Sequence, residues 1–98
     1  MSDVRRTDEE IMQKVSLSLK QIDYMTHAIG LEYNDIKKEK YKAYRNYFYT
    51  SKEDREWEYL VMWGLALRID TGGDILYNVT KLGCKFLERI YWIKIDLE

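Results

Sequence analysis

Residues 54–87 read DREWEYLVMWGLALRIDTGGDILYNVTKLGCKFL and carry the strongest information about the fold. Residues 71–74, TGGD, supply the positive-φ positions that a tight turn needs, and short apolar runs flank them. Thr80 stands where it caps a further helix, of about residues 81–91. The buried face expected for that helix consists of Leu82, Phe86, Leu87 and Ile90. The stretch therefore predicts a helix, a two-stranded hairpin and a second helix.

The helix before the hairpin, predicted at about residues 52–66 with Ser51 as its N-cap, is apolar on two faces. The first face holds Trp57, Leu60, Val61, Gly64 and Leu65. The second holds Tyr59, Met62, Trp63 and Ala66. Trp, Tyr and Met are residues that anchor interfaces, so the second face is a candidate protein interface. The alternative is that the N-terminal helix or the C-terminal tail covers it inside the domain.

Length and composition limit the classes of protein to which the chain can belong. Ninety-eight residues suit one domain spanning residues 1–98, and the absence of proline favours helix. A net charge of −1 is lower than a dedicated nucleic-acid binder usually carries. The single cysteine excludes an internal disulfide and indicates a reducing compartment. Because no signal-peptide pattern and no apolar run of about 18 residues is present, we expect a cytoplasmic protein without a membrane partner.

Capping boxes predict the helices upstream. Thr7–Glu10 has this form and predicts an N-terminal arm or helix within residues 1–16. Ser18–Gln21 predicts a second helix, of about residues 19–29, which Gly30 ends. Each motif lets a side chain satisfy the first free N–H groups of the helix that it begins.

The remaining segments are assigned from weaker patterns. Helical spacing of tyrosines predicts a third helix from about Asp35 to Arg45, followed by an extended exit rich in strand formers. Residues 92–98 alternate apolar and polar and predict an extended tail, whose final Leu97-Glu98 is compatible with a cloning scar. We expect Met1–Arg6 to be mobile. The whole pattern predicts a mainly α protein with a small β-hairpin (α+β), in the order helix–helix–helix–hairpin–helix.

Two segments resemble winged-helix proteins of the MarR and PadR kind. Residues 64–68, GLALR, and residues 77–87, YNVTKLGCKFL, resemble the end of the recognition helix, the wing and the final helix of that family. The resemblance covers about a third of the chain. It implies a winged-helix-like core, and it implies that dimers through terminal helices are compatible with the fold.

The chain as a whole resembles small uncharacterised proteins of Firmicutes phages and prophages. The residues concerned are His27–Leu31, HAIGL, and Tyr44–Phe48, YRNYF. This resemblance implies a mobile-element origin and a location in a bacterial cell or a phage-infected host. It implies no mechanism.

The residues that would read DNA in a winged helix do not suit that role. The first turns of the helix before the wing carry four acids against one base: Glu53, Asp54, Glu56 and Glu58, with Arg55. Asp70 and Asp74 flank the turn of the wing, where only Arg68 is basic. Acids are repelled by phosphates, so this position disfavours nucleic acid even if the fold is shared.

One basic segment could still meet a polyanion. Its bases are Lys37, Lys38, Lys40, Lys42 and Arg45. Tyrosines 41, 44 and 47 alternate with them, and the combination suits phosphate contact with base stacking. The alternative is an amphipathic segment whose tyrosines pack and whose lysines face solvent.

Site chemistry is absent from the sequence. His27 and Cys84 are the only histidine and cysteine, so we expect a surface histidine, a buried thiol and no metal site. Gly72-Gly73 lacks the lysine of a phosphate loop, and no spaced acid pair suggests acid–base work. We therefore predict no enzyme, no cofactor and no small-molecule substrate. The favoured hypothesis is a non-enzymatic binding module that acts through protein contacts or self-association. The alternative is a DNA-binding transcriptional regulator that uses residues 37–47.

Overall fold

The computed structural model describes residues 7–97, apart from the side chain of Tyr33. The described helices are α1 (Asp8–Lys14), α2 (Leu19–Ile29), α3 (Arg55–Met62) and α4 (Lys81–Tyr91). The described strands are β1 (Lys40–Ala43), β2 (Phe48–Thr50), β3 (Ala66–Asp70), β4 (Ile75–Val79) and β5 (Lys94–Leu97). The protein is thus a small α+β protein. The expectations for Met1–Arg6 and for Glu98 lie outside the described residues.

The strands form two separate sheets. In the larger sheet β4 is central and pairs antiparallel with β2 on one side and β3 on the other. In the smaller sheet β1 and β5 run parallel, with Lys40 opposite Lys94 and Lys42 opposite Asp96. The β3–β4 hairpin and the extended C-terminal tail confirm two predictions from the sequence. The parallel pairing of the tail with β1 is a finding of the structure.

The capping predictions for α1 and α2 are confirmed. Thr7 with Glu10, and Ser18 with Gln21, each form both hydrogen bonds of the capping box. Gly30 ends α2 in the left-handed region at φ 69°. These elements follow from bonds between residues three or four apart, which is why the sequence predicts their limits so closely.

The predicted start and end of the helix before the hairpin, residues 52–66, are wrong. Asp54, not Ser51, is the N-cap of α3, and its Oδ1 accepts the N–H groups of Glu56 and Trp57 at 2.9 and 3.2 Å. The helix also ends at Met62 instead of continuing to residue 66. Gly64 turns the chain at φ 81°, and Ala66 already begins β3.

The helix predicted from Asp35 to Arg45 is absent from the described structure, which has a short 3₁₀ turn and then β1 there. Lys37 and Lys40 exchange two backbone hydrogen bonds of 2.9 Å across a tight turn. The two central residues of that turn, Lys38 and Glu39, both have positive φ. Strand β1 then alternates exposed lysines with buried apolar side chains. Pairing with β5 makes this segment a strand, in which Tyr41 and Ala43 are buried. A helix would have placed Tyr41 and Tyr44 on one buried face, but Tyr44 is exposed.

Aromatic rings connect α3 with the larger sheet. Trp57 is fully buried and stacks on Tyr77 of β4, with ring centroids 5.2 Å apart and planes within 8°. Phe48 of β2 lies 5.4 Å from the same indole. On α4, Phe86 and Leu87 are buried as predicted, whereas Leu82 is half-buried and Ile90 is 43% exposed. These contacts cover one face of the larger sheet, its inner face, and the opposite face points away from α3.

Candidate functional site

Arg68 of β3 lies at the centre of an acidic cluster. Its guanidinium binds Glu53 at 2.6 Å, Glu58 at 2.9 Å and Asp70 at 3.0 Å. Hydrogen bonds to Glu53 and Asp70 raise the pKa of Arg68 further above its ordinary value. The only base of the predicted wing is therefore engaged by three carboxylates. This arrangement leaves the hairpin without a cation directed at phosphate.

Glu58 links the same cluster to the core. The Tyr77 hydroxyl donates to Glu58 Oε2 at 2.6 Å and accepts the N–H of Asp54 at 3.3 Å. Desolvation by burial, followed by the hydrogen bond to Glu58, raises the pKa of Tyr77 to about 12. The phenol thus stays protonated at neutral pH. It joins the N-terminus of α3 to β4, which is a structural role.

The larger sheet turns an apolar face to the outside. Tyr49, Leu76 and Ile69 are register partners across its three strands, so their side chains share one face. Leu67 lies on that face two residues before Ile69, and the Tyr47 ring lies 5.6 Å from the Tyr49 ring. We call these five residues the outer sheet face. Leu76 is half-buried and the other four are 47–58% exposed, so no helix within residues 7–97 covers them.

The interface residues predicted from the sequence have different environments. Met62 is 70% exposed at the end of α3. Tyr59 and Trp63 are half-buried and pack against the core. Ala66, assigned to the same helical face, is buried at the start of β3. The sequence did not identify the outer sheet face, because its residues come from three strands and only their register brings them together.

The structure places the predicted basic residues in three different environments. Lys37, Lys40 and Lys42 line a groove of about 700 Å³ along β1 and β5, and Lys94 joins them from β5. Lys38 lies in the preceding tight turn and is exposed. Arg45 does not line the groove, and its Nη2 donates to the carbonyl oxygen of His27 at 2.8 Å. Lys94 was missed because no local pattern relates it to a strand more than 50 residues earlier.

The remaining chemical candidates have structural environments. Cys84 is buried on α4, and burial, with Glu88 nearby, raises the pKa of its thiol to about 12. His27 is exposed near the end of α2, as predicted. Within the described residues, no group of three His, Cys, Asp or Glu side chains could hold a metal ion. In residues 7–97 no helix combines the length and apolar character that a membrane span requires.

No protein-family model, curated protein or solved structure matches this chain. The two resemblances described from the sequence therefore rest on the quoted residues alone. What they imply about origin and activity stays a prediction.

Proposed function

We propose that the protein is a small non-enzymatic binding module, of phage or prophage type, that acts through protein contacts at the outer sheet face. The observation that carries this proposal is the exposure of Tyr49, Leu67 and Ile69 on one side of a sheet whose other side is packed. Exposed apolar side chains grouped on one surface are typical of interaction sites. Met62, from the face predicted in the sequence, is a further exposed apolar side chain.

Covering this face supplies part of the free energy that a specific contact needs. Full burial of a large apolar side chain stabilises by about 1.5–3 kcal/mol relative to full exposure. Four side chains that are about half exposed would therefore contribute roughly 3–6 kcal/mol on binding. The two neighbouring tyrosines supply rigid aromatic anchors, which carry much of the affinity of protein interfaces.

The outer sheet face consists of uncharged residues. Arg68 and Asp70 alternate with Leu67 and Ile69 along β3, so their side chains lie on the opposite face of the sheet. We therefore infer a different protein as occupant, one that presents an apolar patch, and a second copy of the chain is the other outcome of the test.

A winged-helix-like core belongs to the same proposal. It is supported by the order of α3, the β3–β4 hairpin and α4, which is the order that the resemblance implies. The DNA-binding regulator is supported less well at the hairpin, where the only base, Arg68, is bound by acids. Acids at this position would repel a duplex.

The test compares three forms of the full chain: wild type, the double variant Leu67→Ser/Ile69→Ser, and Leu19→Ser. Leu19 is a matched control because it is an exposed leucine, 85% accessible, on α2. Each form is immobilised and exposed to a Firmicutes lysate, after thermal unfolding has shown that all three fold. A protein retained by wild type and control but lost by the double variant is then purified and titrated by calorimetry.

Support requires that the purified protein bind the wild type at least tenfold more tightly than the double variant. The affinity should depend only weakly on salt, because the residues of the contact are uncharged. Identical retention by all three forms, or retention by none, would overturn the proposal. If sizing chromatography shows that the wild type is a dimer and the double variant is a monomer, the occupant of the outer sheet face is a second copy of the chain and not a different protein.

A further inference from the structure

The groove along β1 and β5 lies on the smaller sheet, so it is separate from the outer sheet face. Lys40 and Lys42 are two residues apart on one strand, so their Cα atoms are about 6.6 Å apart and their side chains lie on the same side. Lys94 is the register partner of Lys40 on the adjacent strand, and Lys37 faces Lys40 across the tight turn. Four ammonium groups therefore line one short groove.

None of these lysines forms an ion pair within residues 7–97, although Asp96 is the register partner of Lys42 and Asp35 also lines the groove. Ion pairs within residues 7–97 engage Arg68, Lys85 and Arg89, and none engages a lysine of the groove. Like charges on neighbouring strands repel one another, so the groove gains free energy when an anion enters. The spacing of Lys40 and Lys42 is close to that of successive phosphates along an extended nucleic-acid strand.

An aromatic ring of fixed orientation lies beside the lysines. Tyr44 lines the groove and is 65% exposed. Its ring packs on Gly30, where an added Cβ would lie only 2.6 Å from the hydroxyl, and the Arg45 guanidinium lies 5.5 Å from its centroid. Tyr41 lies below, with its hydroxyl donating to the carbonyl of Ile29 at 2.8 Å. An anchored and exposed tyrosine is a platform on which a base can stack.

We propose that this groove binds single-stranded nucleic acid, with phosphates on the lysines and an unpaired base on Tyr44. The bases of a duplex are already stacked on one another, so a duplex would leave the ring unused. Phosphate headgroups on a membrane offer no base to stack on Tyr44. Asp35 and Asp96 also line it, and carboxylates accept hydrogen bonds from the amino groups that unpaired bases expose.

The probe is a fluorescein-labelled, mixed-sequence DNA strand of about 10 nucleotides, within the range of known single-strand sites. Anisotropy titrations of the full chain are made at about 50 and 200 mM salt. With three to four phosphate contacts, affinity should fall roughly 20- to 50-fold between these salt concentrations. The variant Lys40→Gln/Lys42→Gln should bind more weakly, and the slope of log affinity against log salt should be shallower by about 1.4.

Two further variants separate the contributions. Lys14→Gln/Lys52→Gln removes the same charge from exposed positions outside the groove, and its affinity and slope should match those of the wild type. Tyr44→Ala should lose roughly 5- to 150-fold in affinity with the salt slope unchanged, because stacking releases no counter-ions.

Three results would overturn the proposal. The first is no binding at micromolar protein and low salt. The second is equal or tighter binding of the same sequence as a duplex, which would return the groove to the DNA-regulator hypothesis. The third is full affinity in Tyr44→Ala, which would leave only general attraction to polyanions. Because the proposed protein contact lies on the other sheet, the variants Leu67→Ser/Ile69→Ser should bind the strand normally.

Discussion

Asn46 holds the end of the central strand of the larger sheet. It lies two residues before β2, and its side chain takes the place of a neighbouring strand. Asn46 Oδ1 accepts the N–H of Val79 at 2.8 Å, and Asn46 Nδ2 donates to the Val79 carbonyl oxygen at 2.7 Å. Val79 is 2% exposed, so these two backbone groups have little access to water.

Replacing Asn46 by alanine should remove both bonds without disturbing the backbone of β2. A buried donor or acceptor left without a partner costs about 1–3 kcal/mol, so two of them give a loss of roughly 2–4 kcal/mol after partial hydration. A domain of this size has a free energy of unfolding of about 5–15 kcal/mol. The midpoint of thermal unfolding should fall by roughly 10–30 °C.

Urea and thermal unfolding followed by circular dichroism measure this loss. Asn34→Ala is the matched control, because Asn34 is exposed on the 3₁₀ turn, and it should change stability by less than about 0.5 kcal/mol. A loss below about 1 kcal/mol for Asn46→Ala would refute the reasoning, since a single ordinary hydrogen bond accounts for that much.

Asn46→Asp gives an internal check through its pH dependence. The introduced carboxylate keeps the acceptor for the Val79 N–H but lacks a donor and faces the Val79 carbonyl oxygen. Its pKa should therefore lie above the ordinary value of about 3.9. As pH falls through that raised pKa, the carboxyl group gains a proton and becomes a donor. The loss in free energy of unfolding relative to wild type should therefore shrink. A loss in free energy of unfolding that does not depend on pH would contradict the assignment of Asn46 Nδ2 as the donor.

Two other predictions concern the tight turn and alkaline stability. Lys38 and Glu39 have φ of 51° and 62°, so Lys38→Asn/Glu39→Gly should raise the free energy of unfolding in urea by about 0.5–1 kcal/mol; an unchanged or lower value would contradict the turn geometry. The pKa values of Cys84 and Tyr77 are raised from 9.0 and 10.0 to about 12, so the stability that these groups contribute is complete below pH 9 and is lost as pH rises through about 12. Unfolding free energy should fall over that range and fall less in Cys84→Ala, whereas a flat profile up to pH 12 would exclude the burial of these groups.

The elements whose limits depend on near neighbours in the chain could be predicted from the sequence. The limits of α2 follow from the box at Ser18–Gln21 and from Gly30, and α4 follows from the hydroxyl of Thr80, which accepts the N–H of Gly83. The turn of the hairpin is fixed in the same way, with Gly72 at φ 90°. Each of these features depends on hydrogen bonds or backbone freedom within about four residues, so local sequence is sufficient.

The elements whose partners are distant in the chain could not be predicted, because they depend on how the strands pair. Strand β1 pairs with β5 some 54 residues later, and its turn has Lys38 and Glu39 where glycine or asparagine would have predicted a hairpin. The groove needs that pairing to bring Lys94 beside Lys40, and the outer sheet face needs the register of three strands. Side-chain periodicity within one segment carries no information about which strand lies next to it, and strand pairing is what assembles both candidate surfaces.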